Sequence, residues 1–124
     1  MITAIHHVQL TIPPGSENAA RDFYCGVLGL LEVEKPAALQ ARGGLWLQVG
    51  DRQVHIGVEE GVDRQATKAH VAYQVSDLAF WSEKLGDLGI EVSRGIPIPG
   101  FDRFEFRDPF GNRVEFIERI GPDA

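Results

Sequence analysis

Hydrophobic and polar positions alternate along several short stretches of this chain, and each such stretch reads as a strand with one apolar and one polar face. In residues 3–12, Val8, Leu10 and Ile12 fall on one face and His7, Gln9 and Thr11 on the other. Pro13, Pro14 and Gly15 stop that strand. Ser16 is a suitable N-cap for a helix running through Leu28, with Ala20, Phe23, Tyr24 and Val27 on one side and Gly29 at its C-terminal cap. A short strand over 30–34 and a connector over 36–40 follow. Residues 44–49 and 53–59 then form a hairpin turning at Gly50 and Asp51.

From Thr67 the same order begins again. His70 opens a strand in which Val71, Tyr73 and Val75 alternate with His70, Ala72 and Gln74. A helix from Asp77 or Leu78 carries Leu78, Trp81, Leu85 and Leu88 on one face; Gly89 ends it, and residues 90–93 read as a short strand. In RFEFRDPFGNRVEFI, residues 103–117, Phe104 and Phe106 alternate with Arg103, Glu105 and Arg107 before a turn at 108–112. Val114 and Phe116 alternate with Arg113 and Glu115 after it.

Local matches make the repeat explicit: HVQLTI at 7–12 with HVAYQV at 70–75, LGL at 28–30 with LGI at 88–90, and VHI at 54–56 with VEF at 114–116. The fold class is therefore α+β, built from two tandem strand-helix-three-strand (βαβββ) modules, about 1–60 and about 67–120, within one domain over residues 1–124. Neither half is long enough to bury much core alone.

Composition narrows the partners. A 44% hydrophobic, 24% charged chain is ordinary for a folded globular protein, and a net charge of −6 without a basic cluster argues against nucleic acid or an anionic membrane. No stretch approaches the length of a membrane span, and two histidines interrupt the N-terminal apolar run, so a cytoplasmic location is expected. Cys25, in an apolar helical stretch, reads as a small buried hydrophobe.

The chemistry lies at repeat-related positions. His7 and His70 begin the first strand of each half, and His55 and Glu115 occupy the last strand of each half, all on polar faces. Three imidazoles and a carboxylate form a donor set suited to a divalent transition metal (Zn, Ni, Fe, Co or Mn) rather than to calcium or magnesium. A single strand histidine is more commonly a hydrogen-bonded structural residue; three at related sites weigh against that. Alternation turns His6 to the opposite side, as a surface or capping residue. Trp46 and Gln48 on one hairpin, and Arg103 and Glu105 on the other, share the inward polar faces and are expected to line a substrate cavity. The apolar loop RGIPIPGF at 94–101, stiffened by Pro97 and Pro99, reads either as a lid or as a contact for a second subunit.

HHVQLTI, RDFYCGVLGL, AHVAYQVSDL and above all FRDPFGNRVEFIE resemble the vicinal oxygen chelate superfamily, which includes glyoxalase I, methylmalonyl-CoA epimerase, extradiol dioxygenases, fosfomycin-modifying thiol transferases and bleomycin-resistance proteins. The resemblance implies paired modules forming an open, curled mixed sheet around a divalent metal. It matches His7, His70 and Glu115 to the two histidines and glutamate of the dioxygenase and thiol-transferase branches, and sets His55 where the glyoxalase branch carries glutamate and the epimerase branch glutamine. The expected protein is a glyoxalase-like metal-dependent enzyme, of isomerase, lyase or dioxygenase type, acting on a small molecule chelated through two oxygens. In that scheme Glu115 is a ligand and, if it detaches, a base. The alternatives are a metal-free drug-binding protein and an antibiotic-modifying thiol transferase. A homodimer is expected, with sites built within a chain or across two.

Overall fold

The computed structural model describes residues 1–122. Its architecture is α+β, with two mixed sheets, and it divides into two compact units, one over residues 1–62 and one from residue 63 onward.

The first unit contains β1 (His7–Ile12), α1 (Glu17–Ala20), β2 (Leu31–Val33), β3 (Leu45–Val49) and β4 (Arg52–Val58). Its four strands are ordered β1-β4-β3-β2. β1 runs parallel to β4, whereas β3 pairs antiparallel with both β4 and β2. Period-two alternation sends Ile12, Leu45, Leu47, Val54 and Ile56 to the buried side, and Ala20, Phe23, Tyr24 and Leu28 are buried as well. At the entrance to β3, Gly44 has φ +80°, and a Cβ there would sit 2.0 Å from the Ile56 carbonyl oxygen, so only glycine fits.

The helix expected to run to Leu28 is not uniform. α1 passes at Arg21 into a π-helical turn over Arg21–Val27, marked by Leu28 N–H donating to the Phe23 carbonyl oxygen at 2.9 Å. Ser16 precedes α1 without a side-chain capping bond. The connector after β2 is largely a 3₁₀ helix, Ala37–Arg42.

The second unit contains β5 (His70–Gln74), α2 (Leu78–Asp87), β6 (Phe101–Arg107) and β7 (Arg113–Arg119), with strand order β5-β7-β6. β7 lies parallel to β5 and antiparallel to β6. Asp77 caps α2 by accepting from Phe80 N–H at 3.1 Å, and Leu78, Leu85, Phe104, Phe106, Val114 and Phe116 form the core.

Two expectations fail in this unit. Leu88 is half exposed, because the helix has already unwound there into the Gly89 turn, with Ile90 N–H donating back to the Leu85 carbonyl. The strand expected over 90–93 is reduced to a single bridge, Ser93 to Glu105. Ile90 is spent on the helix cap, and Pro97 and Pro99 lack the N–H groups that would extend the pairing. The 108–112 turn forms as expected. Buried Asp108 accepts from Phe110 N–H at 2.9 Å and Asn112 N–H at 2.8 Å through Oδ1, and from the Asn112 amide at 2.9 Å through Oδ2. That turn sets the β6–β7 register, which places Glu115 opposite Glu105.

Candidate metal centre

Each unit gathers one pair of the expected donors. In the first unit, β4 lies between β1 and β3, so that His55 faces Trp46 across one ladder and Gln9 across the other. Its ring is sandwiched between the Trp46 ring, 3.9 Å away and tilted by 2°, and the His7 ring, 4.0 Å away and tilted by 19°. This stack buries His55, and burial together with the neighbouring His7 and His6 lowers its pKa below the ordinary histidine value. His55 is accordingly a neutral imidazole at neutral pH.

A chain of side chains fixes its tautomer. The Gly50 carbonyl can only accept, so the bond at 2.9 Å is donated by the Gln48 amide. Gln48 Oε1 then accepts from the Gln53 amide at 3.4 Å, which leaves Gln53 Oε1 to accept from His55 Nε2 at 2.8 Å. The proton is on Nε2, and Nδ1 keeps the lone pair that a metal would use.

His6 lies before β1, where strand alternation no longer governs its direction, and its Nδ1 is 3.0 Å from that of His7. It is exposed, as expected, but it is turned toward His7 rather than away. Both histidines, with Trp46 and His55, line a cavity of about 710 Å³ that also carries Leu39, Ile56 and Val58 and the cationic Lys35 and Arg42. Gln48 contributes to the site through the hydrogen-bond chain that orients His55.

In the second unit Glu115 is only 4% exposed although it sits on the polar face of β7. Its Oε1 meets His70 Nε2 at 3.1 Å and Arg103 Nη1 at 3.2 Å. His70 Nδ1 lies 2.8 Å from the Lys68 carbonyl oxygen, which can only accept, so Nδ1 carries the proton. In the neutral ring Nε2 therefore points a lone pair at a carboxylate oxygen. Two acceptors facing one another at that distance need a proton or a metal cation between them.

Around this pair Glu105 joins Arg113, at 2.6 Å from Nη2, and approaches Arg103 Nη1 at 3.6 Å. The hydrogen bond from Arg113 holds the Glu105 carboxyl below the ordinary carboxylate range. Cys25 is half-buried rather than fully buried, and that partial burial raises its thiol pKa.

The donors fit a divalent transition metal in kind: imidazole nitrogens and one carboxylate. They are assembled as His7 with His55 and His70 with Glu115. Among the described residues no group of three or more His, Cys, Asp or Glu side chains is placed to hold an ion. Two contributors went unrecognised in the sequence, Gln53 and Arg113. Each stands two residues before a candidate ligand on the same strand face, a spacing that could have marked them as its neighbours.

The family model described as Glyoxalase/Bleomycin resistance protein/Dioxygenase superfamily matches residues 4–116. A crystal structure of a Bacillus anthracis protein, described only at the level of the glyoxalase family, superposes with a TM-score of 0.89 at 41% identity, covering 97% of this chain and 98% of that one. MhqO of Bacillus subtilis, inferred to be a ring-cleaving dioxygenase, is 28% identical over 132 residues, which cover 97% of this chain and 41% of MhqO. The metallothiol transferase FosB of Bacillus licheniformis is 32% identical over 93 residues, or 69% of this chain and 55% of FosB. The chain thus spans about half the length of these two curated relatives.

Proposed function

Because this chain belongs to the Glyoxalase/Bleomycin resistance protein/Dioxygenase superfamily, we propose that it is a metal-dependent enzyme acting on a small molecule chelated through two oxygens. The reaction is of isomerase, lyase or ring-cleaving dioxygenase type. The observation that carries this reading is the 3.1 Å contact between His70 Nε2 and the buried Glu115 carboxylate, two groups that a shared cation would hold together. His7, His70 and Glu115 are the proposed ligands, with His55 Nδ1 as a fourth ligand or as the ring that orients His7.

A bound divalent transition ion would supply Lewis acidity to the two substrate oxygens. The protein's own contribution is to present the imidazoles, to hold the Glu115 carboxylate in place through the Arg103 guanidinium, and, in the first unit, to offer a Trp46-lined cavity. Three neutral nitrogens and one carboxylate leave a divalent site with net charge +1. That charge favours an anionic chelating substrate, and Lys35 and Arg42 add positive charge to the first unit's cavity beside His7 and His55.

The protein is proposed to be cytoplasmic and homodimeric. Among the described residues no helix is long and apolar enough to cross a membrane.

The test is turnover of the metal-reconstituted protein against methylglyoxal–thiol adducts, catechols and epoxides with added thiols. The expected activity disappears on chelation and in Glu115→Gln. Turnover that survives both would contradict the proposal. A metal-free binding protein is the second reading, favoured by the cavity in the first unit; ligand binding unchanged by chelation would select it.

A further inference from the structure

Arg103 makes contacts that a cavity-lining residue would not need. Its Nε and Nη2 both donate to the Ile96 carbonyl oxygen, at 3.1 and 2.8 Å, while Nη1 reaches Glu115 Oε1 at 3.2 Å. One guanidinium, 17% exposed, therefore joins the backbone of the 94–100 loop to a buried carboxylate on β7. The loop is anchored at its two ends, by Ser93 paired with Glu105 and by Phe101 N–H donating to the Ile98 carbonyl. Between them Ile96 is 82% exposed, with little apolar contact to hold it.

The loop is shaped around this guanidinium. A Cβ on Gly95 would fall 2.9 Å from Arg103 Nη2 and 3.1 Å from Cζ, and the backbone at Gly95 does not adopt a positive φ. A methyl group there is compatible with the backbone, and what has to move is the end of the Arg103 side chain.

We propose that Arg103 is a positioning residue that ties the 94–100 loop to Glu115, so that the closed loop and a metal-competent Glu115 support one another. The metal half of this statement rests on the ligand assignment above; the tether does not. A carboxylate ligand whose outer hydrogen bond is removed typically loses roughly 10–100-fold in metal affinity. By linkage, a metal that holds Glu115 in place also holds the loop.

The bond after Arg94 provides the readout, since trypsin cuts there when the loop opens. Wild type, Arg103→Gln, Arg103→Lys and Gly95→Ala are digested briefly without metal and titrated separately with cobalt(II), whose absorption reports loading. All three variants are expected to cut after Arg94 roughly tenfold faster, as local opening becomes easier, and to bind cobalt roughly 10–100-fold more weakly. Arg103→Lys retains the charge but lacks the fork that spans Ile96 and Glu115.

Equal cutting in wild type and variants would overturn the tether. Gly95→Ala with faster cutting and unchanged cobalt affinity would overturn the coupling. A wild type that takes up no cobalt would overturn the ligand assignment and the coupling with it, while faster cutting of the variants would still establish the tether.

Discussion

Glu115→Gln keeps the size and one oxygen of the side chain but removes its charge. In the metal-free protein the bond donated by Arg103 at 3.2 Å then goes to a neutral acceptor, a loss of about 1 kcal/mol. The metal-dependent difference is larger. A metal at 100 times its Kd stabilises the folded state by about 2.7 kcal/mol. For a chain of 124 residues that raises the Tm by about 10 °C. If losing the carboxylate weakens binding about 100-fold, the same metal concentration stabilises the variant by only about 0.4 kcal/mol, or about 1–2 °C. The assay is differential scanning fluorimetry of wild type and variant, each with and without metal, so that the metal-free loss cancels. A shift in Glu115→Gln equal to that of wild type would refute the assignment of Glu115 as a ligand.

Three further outcomes follow from the same geometry. Trp46→Ala uncovers one face of His55, so the lowered pKa of that ring should rise toward the ordinary histidine value in the metal-free protein; an unchanged NMR titration of His55 would show that the stack is not what desolvates it. Asp108→Ala leaves three donors without their acceptor and should cost about 2–4 kcal/mol, read as a lower denaturant midpoint at unchanged slope; a loss below about 1 kcal/mol would mean that the turn is held mainly by its backbone bonds. The folded-state pKa of Glu105 is depressed by Arg113, so its stabilisation is present above the unfolded value near 4.5 and is lost as pH falls through the folded value; Glu105→Gln should therefore melt below wild type at pH 7 and converge with it in acid, and a gap that does not close would place the effect elsewhere.

The strand faces were legible because alternation is a local property. Ile12, Leu45, Leu47, Phe104 and Phe116 are buried where the pattern puts them, and Glu115 occupies the opposite face for the same reason. The turn at 108–112 was legible from its Asp, Pro, Gly and Asn. Local pattern could not reveal how side chains from different strands meet. The order Trp46, His55, His7 in one stack depends on strand register, and His6 escaped the alternation because it precedes the strand. Helical periodicity misplaced Leu88, since the Gly89 cap ends the helix before that residue reaches the core. The fork from Arg103 to Ile96 and Glu115 joins residues 7 and 12 positions away, and alternation of faces says nothing of such a bridge.

Ligation of one divalent transition metal by His7, His70 and Glu115 is the proposal on which the rest depends. Its most direct test is elemental analysis of protein purified without chelator, wild type beside His7→Ala, Glu115→Ala and a co-expressed mixture of the two variant chains. About one ion per site is expected in wild type, and loss in each single variant. In the mixture, one intact site per mixed dimer means sites built across chains, and none means sites built within a chain. A wild type that carries no metal and takes none up on reconstitution, or single variants that retain it in full, would contradict the claim.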